Sequence, residues 1–173
     1  LSAIEDILDD MSSEKVMDRI LIWDVWFGKT EVIFNAIFKA FLNKKQSILV
    51  CPLVVLAYEH YEKALVRFRD FDIKIWVLTR METEKSVRDT LKKLENWELD
   101  LVIWTHRLLS EDIKFKDLWL VVIDEEHKFG VNDKEKISKI QGSVDMISVS
   151  ATPIPRSLNM ALNGIREVSV LNT

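Results

Sequence analysis

Glycine is scarce in this chain. There are 4 glycines among 173 residues, roughly 2%, where about 7% is usual. A lone cysteine, Cys51, excludes an internal disulfide and cannot by itself make a zinc site. No apolar run reaches the ~20 residues that span a bilayer, and no signal peptide is visible. The expectation is therefore a soluble cytosolic protein with no membrane partner. The net charge of −4 supplies no global basic field, so any nucleic-acid contact has to be local. No repeat, low-complexity tract or linker divides the chain, and its length fits one domain, 1–173.

What is present supports a folded core. Apolar residues make up 48% of the chain, and 6 of them are tryptophan. Ile4, Ile7, Leu8 and Met11 recur at helical spacing. Short apolar runs at Arg19–Ile22, Ser47–Cys51, Ile73–Leu78, Leu99–Trp104, Leu118–Ile123 and Val144–Val149 predict strands, with Val168–Leu171 a possible last one. Helical patterns fall between them: Lys29 to Asn43, a run with Leu56, Tyr58, Tyr61, Leu65 and Phe68, and Glu82 to Leu94 with Val87, Leu91 and Leu94 on one face. Short helices fit His106–Ser110, Lys134–Ile140 and Pro155–Leu162. Strands of four to six apolar residues alternating with helices predict an α/β fold, a parallel sheet flanked by helices on both faces. In such folds ligands bind beyond the carboxyl ends of the strands.

Three motifs follow strands. Trp23-Asp24-Val25-Trp26-Phe27-Gly28-Lys29-Thr30 nearly matches the phosphate-binding pattern G-x-x-x-x-G-K-[S/T], with Trp23 in place of the first glycine. Backbone N–H groups of such a loop cradle anions. Lys29 would neutralise the β- and γ-phosphates of ATP, and the Thr30 hydroxyl would ligate Mg²⁺. The plain alternative is a helix start with a chance Gly-Lys-Thr. Next, the strand Val121–Ile123 delivers Asp124-Glu125-Glu126-His127 to the sheet edge. Asp124 would hold Mg²⁺ through water, and Glu125 would deprotonate the attacking water; otherwise this is a solvated acidic strand end. Third, Ser148-Val149-Ser150-Ala151-Thr152-Pro153 is either a relay between the nucleotide and a second ligand or an ordinary helix cap.

The order G-K-T, D-E-x-H and S-A-T resembles the superfamily 2 helicases and translocases. Longer strings narrow the resemblance. Met17-Asp18-Arg19, Phe27 through Val32, Phe115-Lys116-Asp117-Leu118, Asp124 through His127, Phe129-Gly130-Val131 and Thr152-Pro153-Ile154-Pro155-Arg156 look like the bacterial transcription-repair-coupling factors. The branch-migration helicases are the near neighbour, but usually read D-E-Q-H where this chain has Glu126. The resemblance covers about 1–173. It implies the first RecA-like, P-loop lobe of an ATP-driven double-stranded DNA translocase in the bacterial cytoplasm, associated with the nucleoid. It implies a second lobe, and domains outside this chain that engage RNA polymerase and excision-repair proteins. It assigns catalysis to Glu125 and Lys29, nucleotide binding to 23–30, and Mg²⁺ to Thr30 and Asp124. Coupling falls to His127, Ser150 and Thr152, and DNA contact to Pro52, Thr105 and His106. The family usually has Pro-Thr where this chain has Pro52-Leu53, which removes a hydroxyl from that contact.

Laid against the family, Trp23, Trp26, Trp97, Trp104 and Trp119 stand where glycine is usual; Trp76 carries no such expectation. A glycine codon, GGA, differs from UGA by one base. One reading is that the source reads UGA as glycine and the standard translation writes tryptophan. A second is that the tryptophans are real and damage the loop, leaving a non-catalytic nucleotide-binding or scaffold lobe. A third takes them as ordinary core, which suits Trp104 and Trp119 better than the loop positions. A P-loop ATPase acting on something other than DNA is a further alternative.

Overall fold

Successive side chains of a strand point to opposite faces, and the short apolar runs use both. On one face lie Leu49, Cys51, Leu101, Ile103, Leu120, Val122, Ile147 and Val149. On the other lie Ile48, Val50, Val102, Trp104, Val121, Ile123 and Met146. A strand apolar on both faces has to be covered on both, as the parallel arrangement requires. The computed structural model shows this; it describes residues 2–23, 28–105, 113–140, 144–150 and 167–171. Among them, the elements run α1 (Ser2–Asp10), β1 (Asp18–Trp23), α2 (Lys29–Leu42), β2 (Gln46–Cys51), α3 (Val54–Arg67), β3 (Ile75–Leu78), α4 (Glu84–Glu95), β4 (Leu101–Thr105), β5 (Leu118–Asp124), α5 (Val131–Ile140), β6 (Asp145–Ser150) and β7 (Glu167–Leu171). The seven strands form one sheet in the order β3-β4-β2-β5-β6-β1-β7, and every pairing is parallel. No helix of the described residues is long and apolar enough to cross a membrane.

Helices α1, α2 and α3 supply Ile7, Ile33, Phe34, Ile37, Ala57 and Ala64 to the first core. Helices α4 and α5 supply Leu94 and Ile137 to the second, with Val87 and Leu91 packed against it, as their spacing predicts. Each fully buried aliphatic side chain contributes about 1.5–3 kcal/mol. On α3 the core row is Ala57, His60 and Ala64. Tyr58 and Leu65, two of the apolar residues that mark this helix in the sequence, are exposed. The two alanines bring the helix close to the sheet, and the 57-60-64 row at i+3 and i+4 turns 58 and 65 outward. The expected helices at 106–110 and 155–162 lie outside the described residues.

The connections are tied by polar groups. Gln46 is fully buried. Its amide nitrogen donates to the carbonyls of Leu94 and Leu99 at 2.9 Å each, and its amide oxygen accepts from Asp117 N–H at 3.0 Å. Arg19 links Asp10 at the end of α1 to Glu167 and Ser169 on β7. Asp145 accepts from the Met17 N–H at 2.8 Å.

Helices α2 and α4 end in the same way. After α4, Glu98 N–H donates to the Lys93 carbonyl at 2.8 Å and Trp97 N–H to the Leu94 carbonyl at 3.4 Å. After α2, Lys45 N–H donates to Ala40 at 3.0 Å and Lys44 N–H to Phe41 at 2.8 Å. This is the Schellman closure, whose pivot residue is left-handed and usually glycine. Here the pivots are Trp97 at φ 65 and Lys44 at φ 55. The other tryptophans sit differently. Trp104 is fully buried against Phe115, ring centroids 5.9 Å apart, but its indole N–H has no hydrogen-bond partner among the described residues. Trp119 is partly buried and packs against the first core. Trp76 is exposed, with Lys93 over its ring.

Candidate nucleotide site at the carboxyl edge of the sheet

Register brings the motifs to one edge. Ile22 of β1 pairs with Ser150 of β6, Asp124 of β5 lies opposite Val149, and Cys51 of β2 opposite Thr105 of β4. The loop, the acidic motif and the Ser-Val-Ser strand thus end side by side, though well over a hundred residues separate the first from the last.

Helix α2 begins at Gly28, whose φ of 97 is left-handed and suits glycine alone among ordinary residues. Lys29 follows in the first turn. Its ammonium forms an ion pair with Asp124 Oδ1 and donates to Glu125 Oε1 at 3.2 Å. Leu120 and Val122 face the α2–α3 side, so period two sends Asp124 there as well. Regular continuation would send Glu125 to the opposite face. Instead Glu125 adopts φ 57, ψ 49, and both carboxylates reach the same lysine. Such a backbone costs of order 1–3 kcal/mol and is typical of working sites. A single 3₁₀ turn, Glu126–Lys128, follows and contains His127.

Asp124 is 1% exposed, and its second oxygen lies 2.8 Å from His60 Nε2 on α3. Burial pushes the Asp124 carboxyl up, but the His60 hydrogen bond and the Lys29 charge outweigh it and hold the group below the usual aspartate range. Burial pushes the Lys29 ammonium down, and Asp124 followed by Glu125 outweighs that, so its pKa is raised. Burial and the nearby Asp124 charge together push the Cys51 thiol well above its ordinary range. Both shifts favour the charged forms of Lys29 and Asp124, and the ammonium lies between the Asp124 and Glu125 side chains. The carboxylate oxygens, with the Thr30 hydroxyl next to Lys29 in the chain, are the donor type that a hard, oxygen-seeking divalent ion takes.

The remaining expected residues divide. Asp24, Val25, Trp26, Phe27, His106 and Thr152 lie outside the described residues. Trp23 ends β1 beside Leu171 of β7. Thr30 is in the first turn of α2, and Ser150 ends β6. Pro52 is buried and Thr105 is 2% exposed. At this edge Leu53 is the exposed residue, so a contact here would reach the backbone before the Thr105 hydroxyl. His60 was not among the expected residues. The signal for it was a polar side chain in the buried i+3/i+4 row of α3.

Residues 2–161 match the sequence family described as DEAD/DEAH box helicase. The chain belongs to the DEAD/DEAH box helicase family. A domain of this family binds nucleotide, typically with a divalent metal. Among curated proteins, this helicase domain is 49% identical over 173 residues to the transcription-repair-coupling factor of Bacillus subtilis (strain 168), covering 100% of this chain and 15% of that protein. It is 45% identical over 171 residues to the transcription-repair-coupling factor of Haemophilus influenzae (strain ATCC 51907 / DSM 11121 / KW20 / Rd), covering 99% and 15%. Among solved structures, RecG bound to a three-way DNA junction superposes with a TM-score of 0.83 at 35% identity, over 100% of this chain and 24% of that one. The DEAD-box helicase Mss116 bound to ssRNA and UDP-BeF superposes with a TM-score of 0.69 at 16% identity, over 98% and 39%, a likeness of fold alone. The RecA-like architecture and the likeness to coupling factors read from the motifs are borne out. The helicase domain spans 15% of the coupling factors it resembles.

Proposed function

We propose that this helicase domain is the ATP-binding motor lobe of a double-stranded DNA translocase of the transcription-repair-coupling type. In the full-length protein a second RecA-like lobe would complete the ATPase. Further domains would carry its movement to stalled RNA polymerase and to excision-repair proteins in the bacterial cytoplasm. The observation that carries the reading is Lys29 held between Asp124 and Glu125 at the end of β5. Without nucleotide the ammonium neutralises the acidic motif. Bound phosphates would offer Lys29 stronger partners, and its departure would release Glu125 and the Asp124 Oδ1. Mg²⁺ supplies neutralisation of phosphate charge, and Thr30 and Asp124 are the residues that would hold it. Glu125, released from Lys29, accepts a proton from the attacking water. The resemblance assigns DNA contact to the edge at Pro52, Thr105 and His106, and coupling to His127, Ser150 and Thr152. This lobe alone would turn over ATP poorly, because an arginine finger contributes ~10³–10⁵ in related reactions.

The loop tryptophans decide whether the motor works. Trp97, in the left-handed pivot after α4, supports the reading that UGA codes glycine in the source. Glycine at 23 and 26 would then restore the loop. Trp119 and Trp104 have found places in the packing, which favours the rival reading of real tryptophans and a non-catalytic lobe. The test is nucleotide binding with Mg²⁺ by the full-length protein with Gly or Trp at 23 and 26. Binding by the glycine form alone supports the motor; absence of binding by both removes it. Peptide mass spectrometry of the natively made protein across Ile20–Lys29 reads the two residues directly.

A further inference from the structure

Asp124 is gripped from two helices. Lys29, in the first turn of α2, takes Oδ1, and His60, in the second turn of α3, takes Oδ2 at 2.8 Å. The two grips have different fates when nucleotide arrives. Lys29 is drawn to the phosphates, whereas nothing in the arrangement removes His60, which is 6% exposed and locked in the core row with Ala57 and Ala64. The contact to Asp124 uses His60 Nε2. The other ring nitrogen, Nδ1, is buried and has no hydrogen-bond partner among the described residues. Among the described residues the imidazole therefore has one polar attachment, and that attachment is Asp124. A histidine kept in an alanine-lined row with half of its polarity unsatisfied costs stability that an apolar residue would not. The exposed Leu53, two residues past Cys51, is the N-cap of α3, so the same rigid element reaches from the candidate DNA edge to the acidic motif.

We propose that His60 is a positioning residue: it fixes the Asp124 carboxylate for the metal and transmits displacement of α3 at the DNA edge to that carboxylate. The proposal rests on the motor reading above. Groups that orient metal ligands from behind typically change metal affinity or activity by about 10–100-fold when removed.

The test uses the full-length protein, in whichever form at 23 and 26 binds nucleotide, with His60→Ala and His60→Gln. Binding of a fluorescent ATP analogue is titrated with Mn²⁺, and ATP turnover is measured with and without duplex DNA, with a thermal melt of each variant. The expected result for His60→Ala is a rise of about tenfold or more in the Mn²⁺ needed for half-maximal binding. Turnover should fall in kcat more than in KM for ATP, and stimulation by DNA should diminish. His60→Gln, whose amide can donate towards Oδ2, should recover part of each. An unchanged Mn²⁺ requirement in His60→Ala overturns the positioning role, and a shifted requirement with full DNA stimulation overturns the transmission. If Gln is as defective as Ala and both melt equally early, His60 is packing alone. If no form of the unmutated protein binds nucleotide, the motor reading fails first and this one with it.

Discussion

Replacing Trp97 by glycine should stabilise this chain. The residue sits at φ 65 as the pivot of the closure after α4; it is 44% exposed and belongs to neither core cluster, so its removal leaves the core intact. A residue with a β-carbon loses roughly 1–2 kcal/mol in the left-handed region. Glycine relieves that loss, but its freer unfolded chain takes back about 0.4–1 kcal/mol. The net gain is about 0.5–1 kcal/mol. For a chain of this size each kcal/mol moves Tm by ~2–4 °C, so Trp97→Gly should melt ~1–4 °C higher. Trp97→Ala isolates the cause. It removes the ring and keeps the β-carbon, so it should remain below glycine by the same net of about 0.5–1 kcal/mol. Calorimetry or chemical denaturation of the three proteins decides. If alanine is as stable as glycine, the strain is absent and position 97 no longer supports glycine coding. Lys44→Gly, at φ 55 after α2, should behave like Trp97→Gly for the same reason.

Other expectations follow from the site. Lys29→Ala in the full-length protein should abolish ATP turnover, and Glu125→Gln should bind ATP and leave it uncleaved; substantial turnover by Glu125→Gln would show that the base lies elsewhere. Gly28→Ala should destabilise the start of α2 by about 1–2 kcal/mol and weaken nucleotide binding, and a neutral effect on both by titration and melting would contradict the left-handed role of φ 97. Cys51, buried and with its thiol pushed up by burial and Asp124, should resist alkylation at pH 8 until the protein unfolds; rapid labelling of the folded state would contradict its placement. The Asp124 carboxyl lies below its unfolded value. Its stabilising effect is therefore complete above the ordinary aspartate pKa of about 3.9 and is lost as pH falls through the folded value. Asp124→Asn should be less stable than the parent at neutral pH, and the gap should close in acid; a constant gap across denaturation curves from pH 7 to 3 would refute the assignment.

The sequence alone determined the class of fold and the three motifs. Short apolar runs and helical periods are local properties, set by where a backbone repeat of 2 or 3.6 places consecutive side chains, and each run became a strand within a residue or two. The helix at Lys29 and the apolar face of α4 followed for the same reason. Tertiary structure decided what those motifs touch. No local rule says that β5 lies between β2 and β6, and only that order sets Asp124 beneath α3 and beside Lys29. No local rule turns Glu125 out of strand alternation onto the lysine, which needs a left-handed backbone that side-chain identity does not announce. His60 carried no motif. It became legible only when α3 packed with its alanines inward, because a hydrogen bond between residues 60 and 124 depends on how far apart two elements sit and not on what either contains.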